Sequence, residues 1–224
     1  EGYPVDVVQV DDGYQAATGD WLTANERFPS GMAALAARIG EAGFTPGLWL
    51  APLVLHESSA TLRDHPEMVL RTPGGESYFV DTWLGRCAVV DCTHPDAEAW
   101  LRGVIGAVVH EWGYRYLKLD ALVFAAAPGD EVSYHAAGAT GPMNLRRGLE
   151  IIREAAGDET FILGCTCPFA PAIGLVDAMR VGPDVTATWE DGPRPSVRHA
   201  MRLTLQRNWM HGRWWANDPD CLVV

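Results

Sequence analysis

The sequence predicts an α/β protein built on a parallel sheet, and three observations support this prediction. Short apolar runs alternate with helical patterns along the 224 residues, which is typical of repeated strand–helix units. Hydrophobic residues make up 48% of the chain, enough for a sizeable core. Polar or charged residues stand at the carboxyl ends of most predicted strands, as they do in (β/α)8 TIM barrels.

The predicted elements alternate along the whole chain. Helix 96–113 is the clearest, because Pro95 lies near its first turn and Gly113 just past its end. Segment 53–94 is long for one loop, so we expect small elements in it, among them a short strand at 87–95. The predicted strands are 5–10, 45–52, 114–120, 159–166, 177–184 and 212–220, and the predicted helices are 32–43, 96–113, 143–157 and 195–211.

Two parallel folds compete for this pattern. An open doubly wound sheet carries a glycine-rich turn after its first strand, but neither G-x-G-x-x-G nor G-x-x-x-x-G-K-[ST] occurs here. The barrel is therefore the better prediction. A complete barrel needs roughly 250 residues, and we find only about six βα units. We expect an incomplete (β/α)8 TIM barrel that lacks its first and last units, with residues 1–224 forming one partial catalytic domain and no second domain.

The net charge of −12 argues against two classes of partner. Nucleic acid and anionic membrane both require basic surface, and no apolar run reaches the roughly 18 residues of a membrane span. We therefore expect no nucleic acid and no membrane partner, but a neutral substrate. No signal peptide is visible and the five cysteines show no disulfide pattern, so a cytoplasmic location is expected. The sequence leaves a homo-oligomer open.

Lys118 and Asp120 stand two positions apart at the end of an apolar strand. Residues i and i+2 of a strand point to the same face, so we expect the two charges side by side. One interpretation is a structural ion pair. The other is a catalytic nucleophile, Asp120, which the neighbouring cation keeps ionised.

Asp184 ends the predicted strand 177–184, after Arg180 and a Gly–Pro turn. One interpretation is a turn aspartate bonded to its own backbone. The other is a general acid/base that faces Asp120 across a cleft. Hydrolysis of a glycoside needs such a pair, and a retaining enzyme holds its two carboxylates about 5–5.5 Å apart.

A third acidic site follows the first predicted strand, where Asp11 and Asp12 precede Gly13. Aspartate is common in turns and caps, but two adjacent carboxylates also suit the paired hydroxyls of a pyranose. Trp49 lies at the end of the next strand, and it is either a core residue or a stacking surface for a sugar ring. The nine tryptophans of the chain favour a carbohydrate ligand.

Other chemistries lack their residue patterns. The seven histidines show no H-E-x-x-H or similar spacing, and no G-x-S-x-G elbow occurs. Cys165, Thr166 and Cys167 form a C-x-C spacing rather than the C-x2-C of most zinc sites. We therefore expect neither a metal nor an organic cofactor.

Six segments, taken in order, resemble the α-galactosidases of the melibiase type, family 36 of the glycoside hydrolases. They are "VVQVDDGYQ", "GLWLAP", "LKLD", "ILGC", "MRVGPD" and "WWANDPDCL", of which "MRVGPD" and the "NDPDCL" of the last are the most specific. This resemblance covers nearly the whole chain. It implies a retaining, exo-acting enzyme that removes terminal α-linked galactose from galacto-oligosaccharides. It also implies that the β-domains that usually flank the barrel are absent here.

The resemblance further implies a role for each candidate residue. Asp120 would be the nucleophile and Asp184 the acid/base, while Asp11 and Asp12 would bind the galactose 4- and 6-hydroxyls. Cys165 would lie near the 2-hydroxyl, and its stretch "GCTCP" departs from the more usual "GCGSP", which adds bulk beside the pocket. The remaining pocket residues that the resemblance implies are Trp49, Lys118 and Arg180.

Three alternatives stay open. The same acids would serve an α-N-acetylgalactosaminidase or a raffinose-type galactosyltransferase. A non-catalytic sugar-binding fragment is the alternative from another class, and the presence of both acids with Lys118 and Arg180 argues against it. Finally, an open barrel exposes two unpaired strand edges, so we expect the isolated chain to be inactive by itself.

Overall fold

A computed structural model of the protein describes residues 5–190, 192 and 195–220. In chain order its strands are β1 Val7–Val10, β2 Thr45–Leu50, β3 Val54–His56, β4 Phe79–Thr82, β5 Gly85–Val89, β6 Tyr116–Leu119, β7 Phe161–Gly164, β8 Ala178–Arg180 and β9 Ala216–Asp218. Its α-helices are α1 Gly31–Glu41, α2 Ala60–Asp64, α3 Pro95–Gly106, α4 Val123–Ala126, α5 Gly141–Ala156, α6 Phe169–Ala172 and α7 Val197–Arg207.

Six of the strands form one parallel sheet with the order β1-β2-β6-β7-β8-β9. All six predicted strands are present in it, each shorter than predicted, and helices run between most successive strands. Within the described residues, β1 and β9 each pair on one side only, so the sheet is open. The carboxyl ends of parallel strands share one edge of a sheet, and this arrangement places the candidate residues together.

Strand β6 shows why these short runs become strands. Leu117 and Leu119 are fully buried, whereas the alternate residues Tyr116 and Lys118 are only partly buried. Tyr116 stacks on Phe161 of β7 with 5.3 Å between ring centroids and planes 7° apart, a cross-strand contact that adds to the hydrogen bonds. Strand β6 is therefore anchored on one face by core leucines, while its other face carries the aromatic contact of Tyr116 and the charged side chain of Lys118.

Helix α3 begins where its sequence signals predict, but it ends at Gly106, before the predicted end near residue 113. His94 caps it by accepting the backbone N–H of Asp96, and Pro95 occupies the first turn. The helix continues beyond Gly106 as a π-helical segment, Ala107–Glu111, a variant the apolar periodicity does not reveal. Gly113 follows with a φ of 86°, a conformation that glycine adopts at little cost.

The segment between β2 and α3 is more elaborate than predicted. Strands β3, β5 and β4 form a three-stranded antiparallel sheet in that order, where the sequence predicted one short strand at 87–95. The prediction was incomplete because these short strands lie outside the strand–helix alternation that reveals the strands of the large sheet, and three to five residues carry too few alternations to identify without it. The small sheet packs on the same core as the large one, through buried residues that include Val54, Leu55, Ala88 and Val89.

The end of predicted strand 177–184 is corrected by the structure. Strand β8 stops at Arg180, and Asp184 lies four residues further on, in the loop that leads to α7. Pro183 cannot donate a backbone hydrogen bond to a sheet, which explains the early end. Asp184 therefore does not stand directly at a strand terminus as Asp120 does.

Candidate active site

The candidate residues meet at the carboxyl edge of the parallel sheet. Asp11 follows β1, Asp120 follows β6 and Cys165 follows β7, each with no intervening residue, and Arg180 is the last residue of β8. Because the strand order is β1-β2-β6-β7-β8-β9, Asp120 occupies the middle of this edge. Asp11 lies toward one side of it and Arg180 toward the other.

Asp120 is held by three hydrogen bonds. Its own N–H donates to the carbonyl oxygen of Leu50 at 2.8 Å. Oδ1 accepts the backbone N–H of Ala121 at 2.7 Å, and Oδ2 accepts the indole Nε1–H of Trp49 at 3.2 Å. Ala121 has a φ of 58°, an uncommon value for a residue other than glycine and one typical of functional sites. The two donors hold the carboxylate in one orientation.

Trp49 is a core residue, the first of the two interpretations considered for it, and sugar stacking on its ring stays a prediction. Its side chain is buried, with 2% of the residue exposed, and its ring meets that of Trp21 edge to face with centroids 5.9 Å apart. At the same time its indole nitrogen reaches the carboxylate of Asp120. It is a core residue with one polar atom directed at the site.

The expected pairing of Lys118 with Asp120 is wrong. Lys118 Nζ donates to Asp11 Oδ2 at 2.9 Å, across β2, and the described residues contain no ion pair between Lys118 and Asp120. The i, i+2 rule places both side chains on one face but does not fix which acid a long side chain reaches. The partner proves to be Asp11, directly after the edge strand β1, and Asp120 accepts hydrogen bonds from Trp49 and Ala121 instead.

The ion pair between Asp11 and Lys118 shifts the pKa values of both side chains. Partial burial alone would raise the pKa of Asp11, but the N–H of Asp12 and the ammonium of Lys118 outweigh it and lower that pKa. Burial alone would lower the pKa of Lys118, yet the hydrogen bond and the charge of Asp11 raise it. Asp11 and Lys118 are thus held in their charged forms. The neighbouring acid, Asp12, accepts Nε2–H of Gln15 at 2.7 Å.

Arg180 is the centre of an acidic cluster. Its side chain is only 6% exposed and makes three ion pairs. Nη1 lies 2.7 Å from Asp184 Oδ1, Nη2 lies 2.8 Å from Asp220 Oδ1, and Nε lies 3.3 Å from Asp218 Oδ2. A buried guanidinium requires such partners. The cluster joins the ends of β8 and β9 to the loop that carries Asp184.

Asp184 differs from Asp120 in its surroundings. Its side chain is 90% exposed, and its hydrogen-bond partner is Arg180. The next residue, Val185, donates its backbone N–H to Asp220 Oδ2 at 2.7 Å, so Asp220 holds both Arg180 and the loop. Asp184 is consequently placed by a network of charges, whereas Asp120 is placed by a strand.

Cys165 lies between these two acids along the sheet edge. It is buried, and its N–H donates to the carbonyl oxygen of Leu119 at 2.7 Å. Burial, and next to it the charge of Asp120, raises the pKa of the thiol to about 12. It is therefore a neutral thiol at physiological pH and not a nucleophile. Thr166 follows with a φ of 45°, which ends the strand.

A cleft of about 850 Å³ opens over the ends of β6, β7 and β8. Asp120, Cys165, Arg180 and Asp184 line it, so the two candidate catalytic acids share one cavity. This volume falls within the roughly 300–1,000 Å³ of ligand pockets. The other predicted site residues, Asp11, Asp12, Trp49 and Lys118, lie outside its lining and belong to the side of the edge nearer β1.

Three residues of the site region were not among the predicted site residues. Asp218 and Asp220 hold Arg180, and Trp83, at the turn between β4 and β5, lines the cleft. The "NDPD" motif was a signal for the two acids, because it places carboxylates at the end of a strand. No local signal identifies Trp83, since the hairpin that presents it was not predicted. Within the described residues no group of three His, Cys, Asp or Glu could hold a metal ion.

The open parallel sheet, with helices between its strands and an acid-lined cleft at its carboxyl edge, is typical of part of a (β/α)8 barrel. The melibiase family profile matches residues 6–136, more than half of the chain. The chain therefore belongs to the melibiase family of glycoside hydrolases, and the resemblance inferred from its motifs is confirmed.

Two solved structures of TtGalA, the α-galactosidase of Thermus thermophilus, show the same fold. They are 37% identical to this chain with a TM-score of 0.82, and they cover 96% of it. One is a complex with p-nitrophenyl α-D-galactopyranoside and the other with stachyose. The AgaA α-galactosidase of Geobacillus stearothermophilus, at 21% identity and a TM-score of 0.56, also shares the fold. The prediction of an incomplete α/β barrel is confirmed.

Curated relatives are much longer than the segment they share with this chain. A myogenesis-regulating glycosidase of Mus musculus is 31% identical over 129 residues, which are 57% of this chain but 18% of that protein. For the α-galactosidase AgaA the match is 30% over 76 residues, or 10% of that protein. The chain spans less than a fifth of these relatives and 44% of the first TtGalA structure. No helix in the described ranges is long and apolar enough to cross a membrane.

Proposed function

We propose that this chain carries the catalytic acids of a retaining α-galactosidase, which hydrolyses terminal α-linked galactose from galacto-oligosaccharides by double displacement. Residues 1–224 would form one partial barrel domain of that enzyme. The observation that carries the proposal is the setting of Asp120, an oriented carboxylate at the centre of the strand ends, in a cleft that a second carboxylate, Asp184, also lines. The identity to TtGalA supports the choice of galactose.

In the first step Asp120 attacks the anomeric carbon and forms a covalent glycosyl-enzyme. The N–H of Ala121 and the indole of Trp49 bind one oxygen each, so the carboxylate is oriented before the sugar arrives. A nucleophile that is held in position loses little entropy in the reaction. Neither a metal nor an organic cofactor takes part in this step.

Asp184 would act first as the acid that protonates the departing oxygen and then as the base that activates water. Its ion pair with Arg180 fixes the position of the carboxylate beside the cleft. Asp218 and Asp220 contact the same guanidinium, so the arginine that positions Asp184 is itself held at the ends of β8 and β9.

The galactose hydroxyls would lie at the end of the sheet edge nearer β1, away from Asp184. Asp11 and Asp12 would accept from the 4- and 6-hydroxyls, and the ammonium of Lys118 would donate to another. Asp11 and Lys118 already bind each other at 2.9 Å, so they present an acceptor and a donor side by side. Cys165, a neutral thiol, would lie near the 2-hydroxyl.

Replacing Asp120 with glycine tests the proposal. In the complete gene product that carries this sequence, Asp120→Gly should reduce hydrolysis of an aryl α-galactoside by at least about a thousandfold. Added azide should restore part of the turnover, because it fits the space left by the carboxylate and attacks in its place. The matched control is Asp64→Asn, an exposed acid on α2, which should leave activity unchanged. Full activity of Asp120→Gly would disprove the assignment.

A further inference from the structure

We propose that Trp83 forms the binding platform for the sugar unit that leaves, the unit linked to galactose on the reducing side. This inference rests on the proposed α-galactosidase function and deepens it, because it names where the rest of the substrate lies. Trp83 lines the same cleft as Asp120 and Asp184, yet it comes from a different part of the fold, the antiparallel sheet.

The direction of the substrate follows from the order of strands. The galactose hydroxyls are assigned to Asp11 and Asp12 beyond β1, and the attacked carbon must lie next to Asp120 beyond β6. The leaving oxygen then points toward Asp184, and whatever is attached to it extends into the 850 Å³ cleft. Trp83 bounds the space on that side.

Trp83 is presented by a turn that is fixed by its own residues. Thr82 Oγ1 accepts the N–H of Leu84 at 2.9 Å and donates to the carbonyl oxygen of Gly85 at 3.0 Å. Gly85 has a φ of 98°, and a Cβ there would lie 2.6 Å from Nε2 of His56. The turn thus depends on glycine and packs tightly on the strand beneath it, which leaves Trp83 little freedom of position.

The ring of Trp83 contacts one aromatic neighbour and is otherwise largely exposed. It meets Phe124 of α4 with centroids 5.7 Å apart and planes inclined by 45°. Nevertheless 57% of Trp83 is exposed, which is unusual for so large an apolar side chain. Phe124 follows Asp120 by four residues, so the platform and the nucleophile are tied to the same short segment.

An open indole face beside a catalytic acid suits an uncharged pyranose or furanose ring. The C–H bonds on one face of a sugar pack on an aromatic ring, and both surfaces are removed from water. The cleft wall near it adds further apolar surface from Val123, Pro168 and Phe169. The ligand class that this geometry selects is a neutral glycosyl unit in α-linkage to galactose.

The test compares two substrates that differ only in the leaving group. Stachyose places a sugar ring in the cleft, whereas α-galactosyl fluoride places none. In the complete gene product, Trp83→Ala should lower kcat/KM for stachyose at least tenfold and change that for the fluoride by less than twofold. Trp83→Phe, which keeps an aromatic face, should recover most of the loss.

Trp209→Ala is the matched control. Trp209 is 50% exposed and also contacts one aromatic neighbour, Trp214, but it lies after α7 and outside the cleft lining. The kcat/KM values of the Trp209→Ala variant for stachyose and for α-galactosyl fluoride should both remain unchanged. Equal losses on the two substrates in Trp83→Ala, or no loss on either, would overturn the proposal.

A failure of the proposed function is distinguishable from a failure of this inference. If the wild type cleaves neither substrate, the α-galactosidase assignment fails, and calorimetric binding of stachyose decides the role of Trp83. Binding that is lost in Trp83→Ala and kept in Trp209→Ala supports the platform. Equal binding by wild type and Trp83→Ala, or no binding by the wild type, overturns it.

Discussion

Asp120 owes its orientation to two donors that lie far apart in sequence. The N–H of Ala121 is local and depends on the positive φ of that residue, whereas the indole of Trp49 comes from the neighbouring strand. The register pairs Trp49 with Lys118 and Leu50 with Leu119, which places the indole within reach of the acid that follows. A fold-level feature, the β2–β6 register, thus sets the chemistry of one carboxylate.

Loss of the indole donor should impair catalysis while leaving the fold intact. A hydrogen bond to a charged group is worth about 1.5–3 kcal/mol, so we expect Trp49→Phe to lower kcat/KM for an aryl α-galactoside about 10- to 100-fold. The control is Trp21→Phe. Trp21 is equally buried and packs on Trp49, but its Nε1 has no hydrogen-bond partner within the described ranges.

Steady-state kinetics with thermal unfolding of both variants would check this expectation. Trp21→Phe should lose stability through packing and keep its kcat/KM. Equal losses of kcat/KM in the two variants would mean that Trp49 acts only through packing.

At the scale of elements, the sequence was most informative about the parallel strands. A four-residue strand such as β6 is recognisable because a buried run precedes a charged terminus. The acids that directly follow a strand, Asp11 and Asp120, were placed correctly at the sheet edge. The position of Asp184 was predicted less well, because it depends on an ion pair with Arg180, which is in turn held by Asp220. Arg180 and Asp220 are 40 positions apart, and no local sequence pattern encodes a contact over that separation.

The Asp11–Lys118 pair ties the edge strand β1 to β6 across β2, and its contribution should depend on pH. A carboxylate whose pKa is lower in the folded state stabilises the fold at pH values above its unfolded pKa of about 3.9. This stabilisation is lost as the pH falls through the pKa that the carboxylate has in the folded state. The raised pKa of Lys118 gives stability that is complete below about pH 10.4 and lost above. The pair therefore acts between about pH 4 and pH 10.

We expect wild type to exceed Asp11→Asn in stability at pH 7 by up to about 1 kcal/mol, the upper value for a partly exposed pair. Urea unfolding at pH 7 and at pH 3 measures the difference, which should narrow at pH 3. In a Lys118→Met background the same substitution should have a smaller effect. A difference that stays constant down to pH 3 would exclude the ion pair as its source.

For the whole molecule, the overall architecture could be predicted and the accessory sheet could not. The barrel strands alternate with helices at a spacing that composition and turn residues reveal. The antiparallel sheet of β3, β4 and β5 is held by contacts between short strands, and it carries Trp83 into the cleft. The part of the site that we assign to galactose therefore came from motifs, and the part that we assign to the leaving group required the structure.

Among the residues that the structure describes, the outer edges of β1 and β9 are unpaired, and this bears on activity as well. Unpaired edges are available to other strands, and the cleft has walls only where the described strands supply them. The expectation that the 224-residue polypeptide is inactive by itself remains a prediction, and the activity tests above therefore use the complete gene product.

The most direct test of the central claim is to trap the glycosyl-enzyme with 5-fluoro-α-D-galactosyl fluoride and to locate the label by peptide mass spectrometry. The fluorine slows hydrolysis of the intermediate more than its formation, so the covalent species accumulates. We predict that the label lies on Asp120 and that the unmodified substrate releases α-galactose first. A label on another residue, or no label together with release of β-galactose, would contradict the account.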